Sequence, residues 1–164
     1  LVVSCIGTEP ELASPEFRHI VEQLPNQPII IEHLGRPGPD EEPPYKLYRE
    51  VLALSKYPNT FIKVGGIGEY CDRPIAYDKP MQFAKIPPYL AMVYETFGPR
   101  RMMWCSDYPP VSYREGYYNA FHWIMELLSF CNKEDKEWIF GKTALTLFRF
   151  PETPLSVAEK PVVI

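Results

Sequence analysis

The sequence has little of what would settle its class at once. It has no basic excess: 17 Lys and Arg stand against 21 Asp and Glu, a formal net charge of −4 over 164 residues. With no basic run either, a nucleic-acid surface is excluded. Its apolar runs are far too short to span a bilayer, so no membrane partner is expected. Four cysteines (Cys5, Cys71, Cys105 and Cys131) are widely scattered with no C-x-x-C pair, which reads as reduced thiols in a cytoplasmic protein. No G-x-G-x-x-G follows a first strand and no phosphate loop is present. Gly65-Gly66-Ile67-Gly68 is only superficially glycine-rich, so nucleotide binding is a weak reading. The chain opens on the apolar Leu1-Val2-Val3, without the charged leader, apolar core and cleavage pattern of a signal peptide. It reads as a chain entered in mid-strand, and a fragment of something longer is expected.

Apolar residues make up 46% of the chain and charged residues 23%, a globular composition large enough for one domain with a real core. Nineteen prolines cluster in connections. Between them, four short apolar strands alternate with helical periodicity. Leu1 to Ile6 is the first strand, with a loop over Thr8 to Ser14. Ser14-Pro15-Glu16 then starts a helix running to about Leu24: Ser as N-cap, Pro at the first helical position, an acid in the first turn. The second strand is Ile29 to Leu34. Gly35 to Pro44, with four prolines and three consecutive acids, is either a solvated loop or a lid beside His33. Tyr45 to Lys56 is amphipathic. A third strand, Asn59 to Gly66, ends in paired glycines where backbone can approach a ligand or turn sharply. A polar loop comes next from Ile67, then a helix over about Met81 to Phe97 interrupted at Pro87-Pro88. The fourth strand, Met102 to Ser106, carries Asp107 at its tip. An aromatic-rich helix over Tyr113 to Phe130 and a capped helical region from Asn132 to Phe148, broken at Gly141, complete the order. Residues 151–164 form a tail expected to wrap the outside.

Such alternation predicts a parallel sheet covered by helices, an α/β fold in which every strand's C-terminal end lies on one edge. His33, Gly65-Gly66 and Asp107 all fall on that edge, where α/β active sites lie. An imidazole and a carboxylate at two strand tips could hold a metal or share a proton. Other candidates carry blander readings. His19 is expected on the surface and His122 half-buried in an aromatic stripe. Lys63 points either into a barrel centre or toward the helices, and a structural salt bridge is its simpler role. Arg36 either pairs with a substrate carboxylate or with Asp40 or Glu41 in its own loop. Tyr108 either lines a pocket or packs.

Four strings then resemble one family, in its order. Ile31-Glu32-His33-Leu34-Gly35-Arg36-Pro37 is similar to the "DHLGxP" strand of the amidohydrolase-2 family. Pro58 to Gly66 resembles its "PNvyvKlSG" strand, Phe97 to Pro109 its "fGpdRlmfGSDyP" strand, and Ile139 to Phe148 its closing "ifggNAarlf" helix. The resemblance implies a (β/α)8 TIM barrel. Residues 1–150 would supply its C-terminal half, roughly strands five to eight with their helices. It implies Asp107 as the strand-eight aspartate, which binds a divalent metal, acts as the base for the attacking water, or does both, and His33 as the strand-six histidine, a metal ligand or a catalytic group beside the metal; both are catalytic and metal-ligand candidates. Arg36, Tyr108 and Gly65 are the substrate-binding candidates.

The same resemblance implies a divalent-metal hydrolase, with Zn or Mn, attacking an ester, lactone or amide carbonyl through a metal-activated water. Decarboxylation, a metal-independent lactonase, or a non-catalytic half-barrel are the alternatives. The departures matter: no strand-one H-x-H is in this chain, Leu1 to Ile6 offers only Ser4 and Cys5, Glu32 replaces the common aspartate, and Lys142 stands where asparagine is common. Two ligands fall short of the three that a catalytic zinc takes from protein. The missing barrel half or a partner chain is therefore expected to complete the site, with a small carbonyl or carboxylate compound as substrate and a homo-oligomer as the assembly.

Overall fold

The computed structural model describes residues 1–38, 41–69 and 88–151. Four parallel strands, β1 (Val3–Cys5), β2 (Ile29–Ile31), β3 (Thr60–Val64) and β4 (Met102–Trp104), form one sheet in the order β1-β2-β3-β4. The registers are unbroken: Val3 faces Ile29, Ile29 faces Thr60, and Ile62 faces Met102. Each strand pairs with its predecessor in the chain. A doubly wound sheet reverses its order at a switch point; this order shows no reversal and is the one an arc of a barrel would have.

The two faces of the arc differ. Ile29, Ile31, Ile62, Val64 and Met102 point into the main hydrophobic cluster. There they meet Val21 of α2 (Pro15–Gln23), Tyr48 and Val51 of α3 (Lys46–Leu52), Val93 and Phe97 of α4 (Tyr89–Phe97), and Ile124 of α5 (Tyr117–Leu127). Each such side chain contributes about 1.5–3 kcal/mol through burial. The alternating positions, Ser4, Ile30, Phe61, Lys63 and Met103, occupy the opposite face, which is the inner face of the arc. Lys63 thus lies on the inner side, away from the helices. Its Nζ sits 2.7 Å from Glu32 Oε1 in the salt bridge expected of it.

Local signals explain most element ends. Ser14 Oγ accepts from Phe17 N at 3.1 Å, starting α2. Asn132 Oδ1 accepts from Asp135 N at 3.0 Å, starting α6 (Lys133–Glu137). Three expectations are corrected. Thr8 to Ser14 is not a plain loop: Glu9–Leu12 is a short helix, α1, because Glu11 Oε2 accepts from Thr8 N at 2.7 Å. Gly141 does not break the last helix, since a π-helical turn, Trp138–Lys142, carries the chain into α7 (Thr143–Leu147). The fifth helix begins at Tyr117, after Gly116 at φ 80°, rather than at Tyr113. Residues 70–87, Asp40 and the tail beyond 151 lie outside the described residues. With them go Cys71 and the first part of the helix expected from Met81.

The proline-rich connection after β2 is pinned where it is described. Gly38 N donates to Glu9 Oε2 at 3.1 Å, and Glu41 Oε1 accepts from Leu47 N at 2.8 Å at the start of α3. Tyr89 OH donates to Gly38 O at 3.1 Å. Among the described residues, no helix is long and apolar enough to cross a membrane.

Candidate functional site

The second strand stops at Ile31, earlier than its apolar run suggests, because the chain turns left-handed at once. His33, Leu34, Gly35 and Arg36 have φ of 49°, 56°, 76° and 50°. For residues other than glycine this region costs roughly 1–2 kcal/mol each, so the surroundings must impose it. They do: Gly35 N donates to Glu32 O at 2.9 Å, Arg36 N to His33 O at 2.8 Å, and the buried Tyr48 hydroxyl to Leu34 O at 2.7 Å. The turn aims His33 across the sheet edge instead of along it.

Past β4 the chain turns in the same way. Asp107 has φ 57°, and its carbonyl accepts from Val111 N at 2.9 Å. His33 Nε2 and Asp107 Oδ1 come to 3.6 Å, each side chain only 11% exposed. These two expected site residues are therefore brought together, from strands that are not adjacent in the sheet. Between them runs the glycine segment after β3. A side chain on Gly66 would overlap His33 Nδ1, and one on Gly65 would overlap the carbonyl and Sγ of Cys105. At Gly65 the chain beyond β4 thus packs directly against β3, with Cys105 in the space a side chain would take.

Two charged residues that the sequence pattern does not single out complete the cluster. The guanidinium of Arg114 forms an ion pair with Asp107 Oδ2, and Arg114 Nε lies 3.7 Å from Glu115 Oε2. Both side chains are almost wholly buried. Glu115 lies where a side chain on Gly68 would have to be. The available signal was a charged pair just before a glycine, Arg114-Glu115-Gly116, in an otherwise aromatic stretch.

The inner face adds a second polar group. Glu32 accepts from Ser4 Oγ and pairs with Lys63. Glu32, His33 and Cys105 offer donor atoms within 4.8 Å of one another. Burial pushes the Cys105 thiol up to about 12, with Glu32 adding to the rise and Lys63 opposing it. Glu32 is held by Lys63 and Ser4 on the inner face, as Asp107 is held by Arg114 at the strand ends. The pair of His33 and Asp107 has the spacing a metal asks for. Two ligands bound tetrahedrally at about 2.0–2.2 Å lie about 3.4 Å apart, close to the 3.6 Å seen. With Arg114 on Oδ2, Oδ1 is the oxygen turned to His33.

The remaining candidates sit further out. Arg36 is half-buried at the end of the left-handed turn, and Tyr108 is 73% exposed beside Asp107. His19 is exposed. His122 is half-buried, its ring centroid 3.9 Å from that of Tyr118. Lys142 pairs with Glu137 at 2.6 Å.

Comparison with known proteins bears on the same region. A family model described as amidohydrolase matches residues 8–150. An L-rhamnono-γ-lactonase of Scheffersomyces stipitis is 28% identical over 103 residues, which is 57% of this chain and 31% of that protein. Amidohydrolase 2 from Bifidobacterium longum subsp. infantis superposes with a TM-score of 0.62 at 26% identity, over 89% of this chain and 48% of that one. An amidohydrolase from Burkholderia multivorans with bound zinc gives a TM-score of 0.72 at 18% identity, over 88% of this chain and 51% of that one. The chain thus spans about a third of the lactonase and about half of these structures.

Proposed function

Because the chain belongs to the amidohydrolase family, we propose that it is the C-terminal half of a (β/α)8-barrel hydrolase that opens a carbonyl substrate with water, a lactone of a sugar acid before other esters or amides. The observation that carries the reading is the approach of His33 Nε2 to Asp107 Oδ1, 3.6 Å apart at the strand ends. Similarity to a lactonase sets the order of substrates.

In this reading Asp107 Oδ1 takes the proton of the attacking water as the carbonyl carbon is approached. His33 Nε2 donates to the oxygen that gains charge, or orients the water. Ring opening would then create a carboxylate, which Arg36 would receive bidentately. Tyr108 forms the rim, and the Gly65-Gly66 backbone gives the floor. If a divalent ion, zinc or manganese, were bound instead, His33 Nε2 and Asp107 Oδ1 would be its ligands and Nε2 would give up the donor role. Such an ion supplies a water of pKa near 7 and polarises the carbonyl. A third ligand would come from the rest of the barrel, contributed by another part of the protein or by a partner chain, in a homo-oligomer. Cys5, Cys105 and Cys131 are free thiols, which suits a reducing cytoplasm.

One observation favours a second reading, in which the same hydrolysis proceeds without a cation. Arg114 already places a fixed positive charge on Asp107.

The test is turnover of a sugar-lactone panel by the assembled enzyme, wild type and Asp107→Asn, before and after chelation. The variant is expected to lose on the order of 10³-fold, the middle of the range one acid–base group supplies. Retained turnover in Asp107→Asn would sink the role of that residue. Activity that survives chelation would select the cation-free reading.

A further inference from the structure

We propose that Arg114 is a positioning residue that fixes which oxygen of Asp107 faces His33, and that Glu115 holds Arg114 in that role. The proposal rests on the reading of Asp107 as the carboxylate of the site.

A carboxylate turns easily about its last bond, whose torsional well is broad. Asp107 therefore needs a partner to present one chosen oxygen. Arg114 supplies it by pairing with Oδ2, which leaves Oδ1 at 3.6 Å from His33 Nε2. The guanidinium is planar and carries donors along two edges, so it can address two carboxylates at once. Here its terminal nitrogen serves Asp107 while Nε lies 3.7 Å from Glu115 Oε2. The side chains of Arg114, Asp107 and Glu115 are 6%, 11% and 2% exposed, so the row of alternating charges is shielded from water.

The backbone is built around this row. Val111 N donates to Asp107 O at 2.9 Å and Gly116 N to Val111 O at 2.8 Å, closing the loop so that Arg114 returns to the strand tip. Asn119 Nδ2 donates to Glu115 O at 2.7 Å and anchors the far end. On the β3 side, only a glycine at 68 leaves room for the Glu115 carboxylate. Burying an arginine and two carboxylates costs several kcal/mol per ion in desolvation, and apolar side chains of similar volume would pack such a loop at least as well. An arrangement that costly and that specific points to orientation of Asp107 rather than to packing.

The experiment compares Arg114→Met, Arg114→Lys, Glu115→Gln and Arg114→Met/Glu115→Gln in the assembled enzyme, with Asp107→Asn as the benchmark. Turnover of L-rhamnono-γ-lactone and related lactones is read beside thermal melting and the imidazole 15N resonances of His33. Arg114→Met is expected to lose on the order of 10²-fold in kcat with KM within about threefold, the signature of a misplaced group. Arg114→Lys should recover about tenfold of that loss, since it restores the charge but meets one carboxylate rather than two. The double variant should be no worse than Arg114→Met, because Glu115 acts through Arg114. The His33 resonances should shift in Arg114→Met and move back toward wild type in Arg114→Lys.

The proposal is overturned if Arg114→Met keeps kcat within about twofold of wild type, if its loss only tracks its unfolded fraction, or if lysine restores nothing. Asp107→Asn with full turnover would overturn the underlying reading instead, and that outcome is separately visible. If no lactone in the panel is hydrolysed, the His33 resonances decide alone: unchanged in Arg114→Met, they refute the positioning role.

Discussion

The imidazole of His33 occupies the space that a side chain on Gly66 would need. Gly66 also sits at φ 69°, where an L side chain is strained whatever the room available. The end of β3 and the histidine beyond β2 are therefore fitted to each other through one missing methyl group. Gly66→Ala should lower the stability of the assembled protein by about 1–3 kcal/mol, the usual cost of overpacking. It should also displace His33 and so depress turnover more than the stability loss explains. Urea unfolding with a parallel assay checks this. A variant with wild-type midpoint and rate would show that the histidine is free to move aside.

The left-handed turn that carries His33 hangs on the Tyr48 hydroxyl, which donates to Leu34 O at 2.7 Å from a side chain with no exposure. Tyr48→Phe keeps the ring, including its edge contact with Tyr89 at 4.8 Å, but strands a buried carbonyl. The expected cost is about 1–3 kcal/mol, the desolvation penalty of an unsatisfied acceptor. The urea midpoint should fall at unchanged slope. Because the bond anchors the turn itself, the amides of Gly35 and Arg36 should exchange faster in Tyr48→Phe. A midpoint shift without faster exchange there would mean that packing, not this bond, holds the turn.

Legibility in the sequence tracks the range of the interaction involved. The alternation of strands and helices in a parallel sheet, the Ser14 cap and the positions of His33 and Asp107 just beyond strand ends depend on local pattern plus the general geometry of βα units, and all were legible. The left-handed run after β2 was not, because three of its four residues are not glycine and are held there by Tyr48 and the sheet. Arg114 and Glu115 looked like the first turn of a helix. Only the fold-back closed by Val111 and Gly116 turns them inward. Gly141 looked like a stop, yet the π-helical turn over Trp138–Lys142 carries the backbone through it. The Thr8-x-x-Glu11 spacing of a capping box was present in the sequence but is easily masked by Pro10.

The loop after β2 meets α1 at the Glu9 carboxylate, which accepts from Gly38 N at 3.1 Å. Glu9 is 6% exposed, and its carboxyl is pushed up to about 7, first by burial and then by the hydrogen bond and charge of Glu41, while the Gly38 amide opposes the rise. The same surroundings push Tyr89 up to about 12, through burial and the neighbouring carboxylates of Glu41 and Glu9. Between the ordinary 4.5 and about 7, the folded chain holds a proton on Glu9 that the unfolded chain has released. Stability from this group is thus fully present below about 4.5, falls as the pH rises through that window, and is gone above about 7. Glu9→Gln, which cannot ionise, should remove this decline and leave the other pH dependences in place. Urea midpoints of both proteins at pH 4.5, 6 and 7.5 give the comparison. The difference between variant and wild type should grow with pH in favour of the glutamine, and a difference that stays constant would show that Glu9 is already ionised at the low end.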